Sequence, residues 1–287
     1  MASTVLTKTP TAGNRLKWTF STWFKLMPNS SNGYWGQCIF GGYQDTNNYS
    51  ALQFDNSGAM DFLNVTGGNV DARLVTNRLF RDPGAWYHVV AVWDSANASA
   101  GDRMRLYING VEETAFGTDT NPSSSLNSII NSANELSVGG INSGSYFRGN
   151  MAHTHFCDGF AYAASDFGET DSTSGIWVAK TNPSVSYGSN GFFLKYASGA
   201  SGTDSSGNGN TMSISGTITN LKDSPDNNFS TMNPLENYYP NQTFTEGDNT
   251  VKSDHPAPVL STLGMASGKW YFEGKAIVST AGPPGDW

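Results

Sequence analysis

The stretch Phe80-Arg81-Asp82-Pro83-Gly84-Ala85-Trp86-Tyr87-His88-Val89-Val90-Ala91-Val92-Trp93, followed by Arg105-Leu106-Tyr107-Ile108-Asn109-Gly110-Val111, decides the fold. A turn feeds a long apolar strand, a polar loop follows, and a second strand ends in Asn-Gly. Asn and Gly both tolerate positive φ, so Asn109-Gly110 is the strongest short-range signal for a tight hairpin. Trp86–Trp93 is apolar on both faces, as an internal strand of a sandwich is. Met104, Leu106 and Ile108 alternate against Arg103, Arg105 and Tyr107.

The same period continues on either side. In residues 14–27, Leu16, Trp18, Phe20, Phe24 and Leu26 share one face, while Lys17, Thr19, Ser21 and Lys25 share the other. That pattern predicts a half-buried strand. Trp23 breaks the polar side and is expected under a loop. Gln37–Gly41, Tyr49–Phe54, Gly58–Leu63, Glu135–Val138 and Asn150–Cys157 read as further strands between Gly/Asn/Ser/Asp turns. No segment keeps a 3.6-residue apolar period; one helical turn is expected near Ala163–Phe167, capped by Ser165 or Asp166. Short strands at this spacing give an all-β, two-sheet sandwich of jelly-roll type.

Bulk composition agrees. The 287 residues are 14% charged and 13% aromatic and include 32 glycines. Low charge with many small polar residues suits a turn-rich β protein, and the aromatics supply buried area. A net charge of -8 does not fit a protein that grips nucleic-acid phosphates. Cys38 and Cys157 are too few for a disulfide scaffold, and buried thiols are expected. Met1–Val5 lacks the basic and apolar regions of a signal peptide, and no stretch approaches the ~18 apolar residues of a membrane span. A soluble chain made in a cytoplasm is the expectation.

Three units are expected. Residues 1–160 form the sandwich, closing near Asp158-Gly159. Residues 161–240, rich in Gly, Ser, Asn and Pro, form an ordered connector with one or two strands. Residues 241–287 begin a second sandwich with a strand over Gly268–Val278, completed by further chain or by a partner.

The opening pair of strands, with "Trp-Tyr-His-Val … Leu-Tyr-Ile-Asn-Gly", resembles the central hairpin of laminin-G or concanavalin A-like sandwiches. The order of motifs is more specific: Trp18–Lys25, Arg81–His88, Tyr107–Val111, Phe156–Gly159, Ser165–Asp171, Gly175–Val178, Tyr187–Phe192, Asp204–Asn210, Asp223–Phe229 and Gly268–Glu273. That series is similar to structural proteins of marine tailed bacteriophages and prophages, in which a laminin-G-like sandwich precedes a connector and a SPRY-like sandwich. The resemblance implies a virion component (a fibre, tail appendage or capsid-attached appendage) assembled in the bacterial host cytoplasm. Its partners would be other virion proteins and a host-surface polysaccharide, in a symmetric homo-oligomer without membrane insertion. A capsid decoration or cement protein with a purely structural role is the alternative.

Candidate sites follow from residue type. Tyr34, Trp35 and Tyr43 read as lying in a Gly-rich loop, and Tyr146 and Phe147 in another; aromatic faces suit sugar rings, with burial as the competing expectation. The resemblance implies one Ca²⁺ at a loop rim, for which Asp94, Asp102 and Asp119, read as lying in loops next to the central hairpin, are the candidates. Asp204-x-Ser206-x-Asn208-Gly209 mimics the start of a calcium loop without its closing Glu. His153, His155 and Cys157 alternate along one strand, but a fourth zinc ligand is missing, so two hydrogen-bonded histidines are expected. His88 is expected as a hydrogen-bonded core residue. Glycoside hydrolysis needs paired carboxylates about 5 Å apart in a retaining enzyme. Glu169-Thr170-Asp171 has Ser174 where the second Glu should stand and reads as a loop, so a non-enzymatic binding protein is expected.

Overall fold

The computed structural model describes residues 4–27, 34, 36–142, 144–235, 242–253 and 258–277. The first strands are β1 (Val5–Lys8), β2 (Lys17–Leu26), β3 (Cys38–Asp45), β4 (Asn48–Phe54), β5 (Ala59–Thr66) and β6 (Asn69–Leu79). Then come β7 (Tyr87–Asp94), β8 (Met104–Ile108), β9 (Val111–Glu112), β10 (Phe116–Thr120), β11 (Glu135–Val138) and β12 (Gly149–Asp158). The later chain adds β13 (Gly168–Thr170), β14 (Trp177–Ala179), β15 (Phe192–Leu194), β16 (Ser213–Ser215), β17 (Thr243–Thr245) and β18 (Thr250–Lys252).

These strands build a sandwich of an eight-stranded sheet, β10-β6-β5-β4-β3-β11-β1-β16, and a six-stranded sheet, β15-β12-β2-β7-β8-β9. The β8–β9 hairpin turns on Asn109 at φ 48° and Gly110 at φ 84°, the two positive values that a type I′ turn requires. Alternation sends Trp18, Phe20 and Phe24 of β2 and Val89, Ala91 and Trp93 of β7 into the core. There they meet Phe40, Leu52, Phe54 and Phe62 of the larger sheet. Phe20 and Phe40 stack across the sheets with ring centroids 4.1 Å apart, an arrangement that adds about 0.5–1.5 kcal/mol beyond area burial.

Four expectations need correction. First, β2 is buried on both faces, not half-buried: Thr19, Ser21 and Lys25 are each 0% exposed. Residues beyond 158 cover that outer face, as described below. Second, Asp158-Gly159 ends β12, but the sandwich takes two more strands from the connector. β15 pairs with β12, and β16 pairs with β1 at the far edge. Third, no strand forms over Gly268–Ile277, the described part of the expected strand. Trp270, Tyr271 and Phe272 stand 66%, 82% and 73% exposed, with no neighbouring strand among the described residues to take up their backbone hydrogen bonds. Val278 lies outside the described residues. Fourth, Glu169 and Thr170 lie on β13, paired with β14, not in a loop.

The helical turn is a 3-10 turn at Ala164–Asp166, and Asp166 Oδ2 accepts a hydrogen bond from the Ala163 N–H at 2.9 Å. Cys38 and Cys157 are free and buried, and burial pushes the Cys38 thiol up to about 12. No helix among the described residues is long and apolar enough to cross a membrane.

Candidate functional site

The two outer faces of the sandwich differ. On the eight-stranded sheet, register places Gly41, Ala51, Leu63 and Arg73 in one row across β3, β4, β5 and β6. The next row sets Glu135 beside Tyr43, Tyr43 beside Tyr49, and Tyr49 beside Val65. Cys38, Ala51, Leu63, Val65 and Ile141 form a buried apolar floor, and the half-buried Tyr43 and Tyr49 pack against it. Gly41 keeps this floor flat: a Cβ there would meet Ile141 Cδ1 at 2.7 Å.

Polar groups with fixed geometry adjoin the floor. Arg73 donates from Nε to Asp61 Oδ1 and from a terminal nitrogen to Oδ2, both at 2.9 Å. Gln53 Nε2 donates to the same Oδ2 at 3.3 Å. Asp61 is 2% exposed, while the Arg73 side chain is 38% exposed, so the guanidinium presents its remaining donors to solvent. The hydrogen bond to Asp61 raises the Arg73 pKa further. Two tyrosine rings beside planar donors and acceptors make a surface suited to a ligand with apolar C–H faces and many hydroxyls.

The outer face of the six-stranded sheet is closed instead. Lys25 Nζ, fully buried, donates to Asp223 Oδ2 at 2.7 Å and to Asn228 Oδ1 at 2.8 Å. Trp86 Nε1 donates to Asp223 Oδ1 at 3.2 Å. Thr19 Oγ1 donates to the Phe160 carbonyl at 2.8 Å and accepts from the Tyr162 N–H at 2.9 Å. Trp23, the residue that broke the polar pattern, stacks on His88 at 4.9 Å and packs with Trp86, Ala179 and Trp177. His88 is the hydrogen-bonded core residue expected, bonded to Ser21 and Trp177.

The residues singled out from sequence end up in different places. Tyr34 is 8% exposed and lies over Gly58, so it belongs to the core. Trp35 lies outside the described residues. Tyr43 lies on β3, not in the loop expected for it, and reaches the open sheet face. Tyr146 is half-buried beside Gly140, and Phe147 packs edge-on to Phe24 at 6.4 Å. Tyr49, Gln53, Asp61 and Arg73 were missed. The alternation Tyr49-x-Ala51-x-Gln53 carried the signal for the first, but nothing local marks the bidentate Asp61–Arg73 pair.

Asp94, Asp102 and Asp119 do not converge, and Asp94 ends β7 and Asp119 lies on β10 instead of in loops. Asp94 pairs with Lys17 at 3.3 Å and leaves Oδ1 buried without a partner. Asp102 is exposed at a 3-10 turn, and Asp119 on β10 accepts from Asn121 at 2.9 Å. Among the described residues no three His, Cys, Asp or Glu side chains are grouped to hold a metal ion. One orphaned oxygen does not make the six-to-eight-oxygen shell of Ca²⁺, so these residues do not fit that ion as a side-chain set. Asp204 is spent internally, accepting from the N–H groups of Phe193, Ser206 and Asn210.

A family model described as the concanavalin A-like lectin/glucanases superfamily matches residues 3–163, and the chain belongs to that superfamily. Among solved structures, a heptameric SAP-like pentraxin from Limulus polyphemus is similar at 18% identity and a TM-score of 0.35, over 53% of this chain and 69% of that one. The CBM40 of the IT-sialidase of Ruminococcus gnavus, bound to α2,3-sialyllactose, is similar at 16% identity and 0.35, over 47% and 72%. Domain 4 of the extracellular arabinanase AbnA of Geobacillus stearothermophilus, in complex with arabinotriose, is similar at 15% identity and 0.34, over 52% and 64%. No curated protein matches.

Proposed function

We propose that this member of the concanavalin A-like superfamily is a carbohydrate-binding, non-catalytic protein whose sugar site is the open face of the eight-stranded sheet. One observation carries the reading: Tyr43 and Tyr49 sit side by side on a flat apolar floor next to the Asp61–Arg73–Gln53 array. The sugar C–H faces pack on the rings, and the fixed polar groups take the hydroxyls. Asp61 already neutralises the Arg73 fork, and Glu135 adjoins Tyr43, so a neutral glycan suits this face better than an acidic one. The motif series quoted above supports a further part of the proposal: the protein is carried on a bacteriophage virion and the glycan belongs to the host surface.

The test is binding of the purified chain to an array of neutral and acidic oligosaccharides, followed by calorimetry with Tyr43→Ala and Tyr49→Ala. Each substitution is expected to weaken binding roughly tenfold or more, in keeping with one lost aromatic contact. Unchanged affinity in both variants, or a preference for acidic glycans, removes the proposed site. Labelled chain that binds virions and not host cells points to the decoration role.

A further inference from the structure

Three histidines lie where the covering chain meets the six-stranded sheet. His88, on β7, is fully buried between the rings of Trp23 at 4.9 Å and Trp177 at 6.0 Å. The Trp177 indole N–H can only donate, and it donates to His88 Nδ1 at 3.0 Å. That bond fixes the neutral tautomer, with the proton on Nε2 donated to Ser21 Oγ at 2.9 Å. His155, on β12, stacks on Phe193 at 4.0 Å and lies 5.3 Å from Phe167, and its Nδ1 shares a 2.9 Å hydrogen bond with the Tyr187 hydroxyl. His153 stands beside it at the bulge of β12. Trp177, Phe167 and Tyr187 all belong to the segment that covers the face.

We propose that residues 161–187 form an acid-released flap over the six-stranded sheet, latched by the neutral imidazoles of His88 and His155. A second proton on His88 would place an N–H against the Trp177 N–H and break the hydrogen bond that ties the flap to β7. A proton on His155 would put a cation among three aromatic rings. Burial already holds the His88 pKa down to about 3 and that of His155 well below the ordinary value. The neighbours oppose protonation: His153, His88 and Lys195 act on His155, and His153 acts on His88. Burial lowers the His153 pKa as well; Asp226, 3.7 Å away, favours its charged form, and Lys195 opposes it. Tyr162, Tyr187, Cys157, Asp166 and Asp204 are further titratable groups at this seam. Folded-state values are depressed, so the latch is complete above the unfolded value of 6.5 and is lost as pH falls toward 3.

Cys157 reports on the flap directly. It is buried under the flap, packed with Val90, Val92 and Phe167, whereas Cys38 is buried on the other sheet. The experiment is labelling of the full chain with a thiol reagent active in acid, at pH 7.5 and pH 4.5, with each cysteine read by mass spectrometry. Labelling of Cys157 relative to Cys38 is expected to rise on the order of a hundredfold at pH 4.5, the factor His88 alone supplies over that range. His88→Gln can accept from Trp177 and donate to Ser21 without titrating, and it should abolish most of that rise. Protection of Cys157 at both pH values, joint labelling of both cysteines, or a rise undiminished in a folded His88→Gln overturns the proposal. If that variant does not fold, imidazole titration of the unsubstituted chain by NMR decides: a His88 value near 6.5 overturns it, and one far below supports it.

Discussion

The two outer faces of this sandwich begin from similar sequence patterns and end in opposite states. On β4, Tyr49, Ala51 and Gln53 alternate with core residues, and Tyr49 and Gln53 stay half-exposed on either side of the buried Ala51. On β2, Thr19, Ser21 and Lys25 alternate with core residues in the same way and are sealed. The difference lies in residues more than a hundred positions downstream, which bring Asp223, Trp177 and the Phe160 carbonyl to the smaller sheet. Outward polarity along a strand therefore says that a partner is needed, without saying whether that partner is water or protein.

The comparison breaks most visibly at Asp223. Its carboxylate holds Lys25, Trp86 and Asn150 together, and the Lys25–Asp223 pair has no exposed surface. Asp223→Ala leaves a buried ammonium with Asn228 and the Trp86 ring beside it among the described residues, and the expected cost is about 3–5 kcal/mol. Urea unfolding measures it. A cost under about 1 kcal/mol would show that water reaches Lys25 and that this face is not sealed.

A smaller effect is expected at the central hairpin. Gly110 has φ 84°, and a Cβ there would meet the Trp177 ring at 2.6 Å. Gly110→Ala combines backbone strain with displacement of the cover, and about 2 kcal/mol is expected. Gly67, also at positive φ, has nothing within 4 Å, so Gly67→Ala is the control that isolates the backbone share. Equal costs for the two would mean that Trp177 does not press on the hairpin.

The same contrast explains what the sequence could reveal. Trp86–Trp93 and Met104–Gly110 were legible because every cue there agrees: apolar alternation, β-branched residues and the Asn-Gly turn. The longest strand, β6, was not recognised. Its outward positions carry Asp71 and Arg73, whose β propensity is low, and the ladder to β5 and β10 overrides that preference. Tyr43 was recognised as a candidate for the wrong neighbourhood, with Tyr34, because ring exposure depends on what packs above it. Tyr34 sinks onto Gly58, while Tyr43 finds Tyr49 across the β3–β4 ladder. The Asp61–Arg73 pair is a cross-strand contact twelve residues apart, and local pattern carries no trace of it.

That pair gives the finest test of the open face. Arg73 makes two parallel hydrogen bonds to Asp61, a geometry that a lysine ammonium cannot copy. Arg73→Lys keeps the charge beside Asp61 but loses the planar donors aimed at solvent. The Arg73 side chain is partly exposed and the charge beside the buried Asp61 is kept, so the expected loss of stability is about 1 kcal/mol. If Arg73 also donates to a sugar hydroxyl, affinity should fall roughly threefold to tenfold alongside that loss. Calorimetry and urea unfolding on one preparation separate the two effects. Lost stability with intact affinity would make the pair a cross-strand brace, leaving Tyr43 and Tyr49 to hold the ligand through their rings.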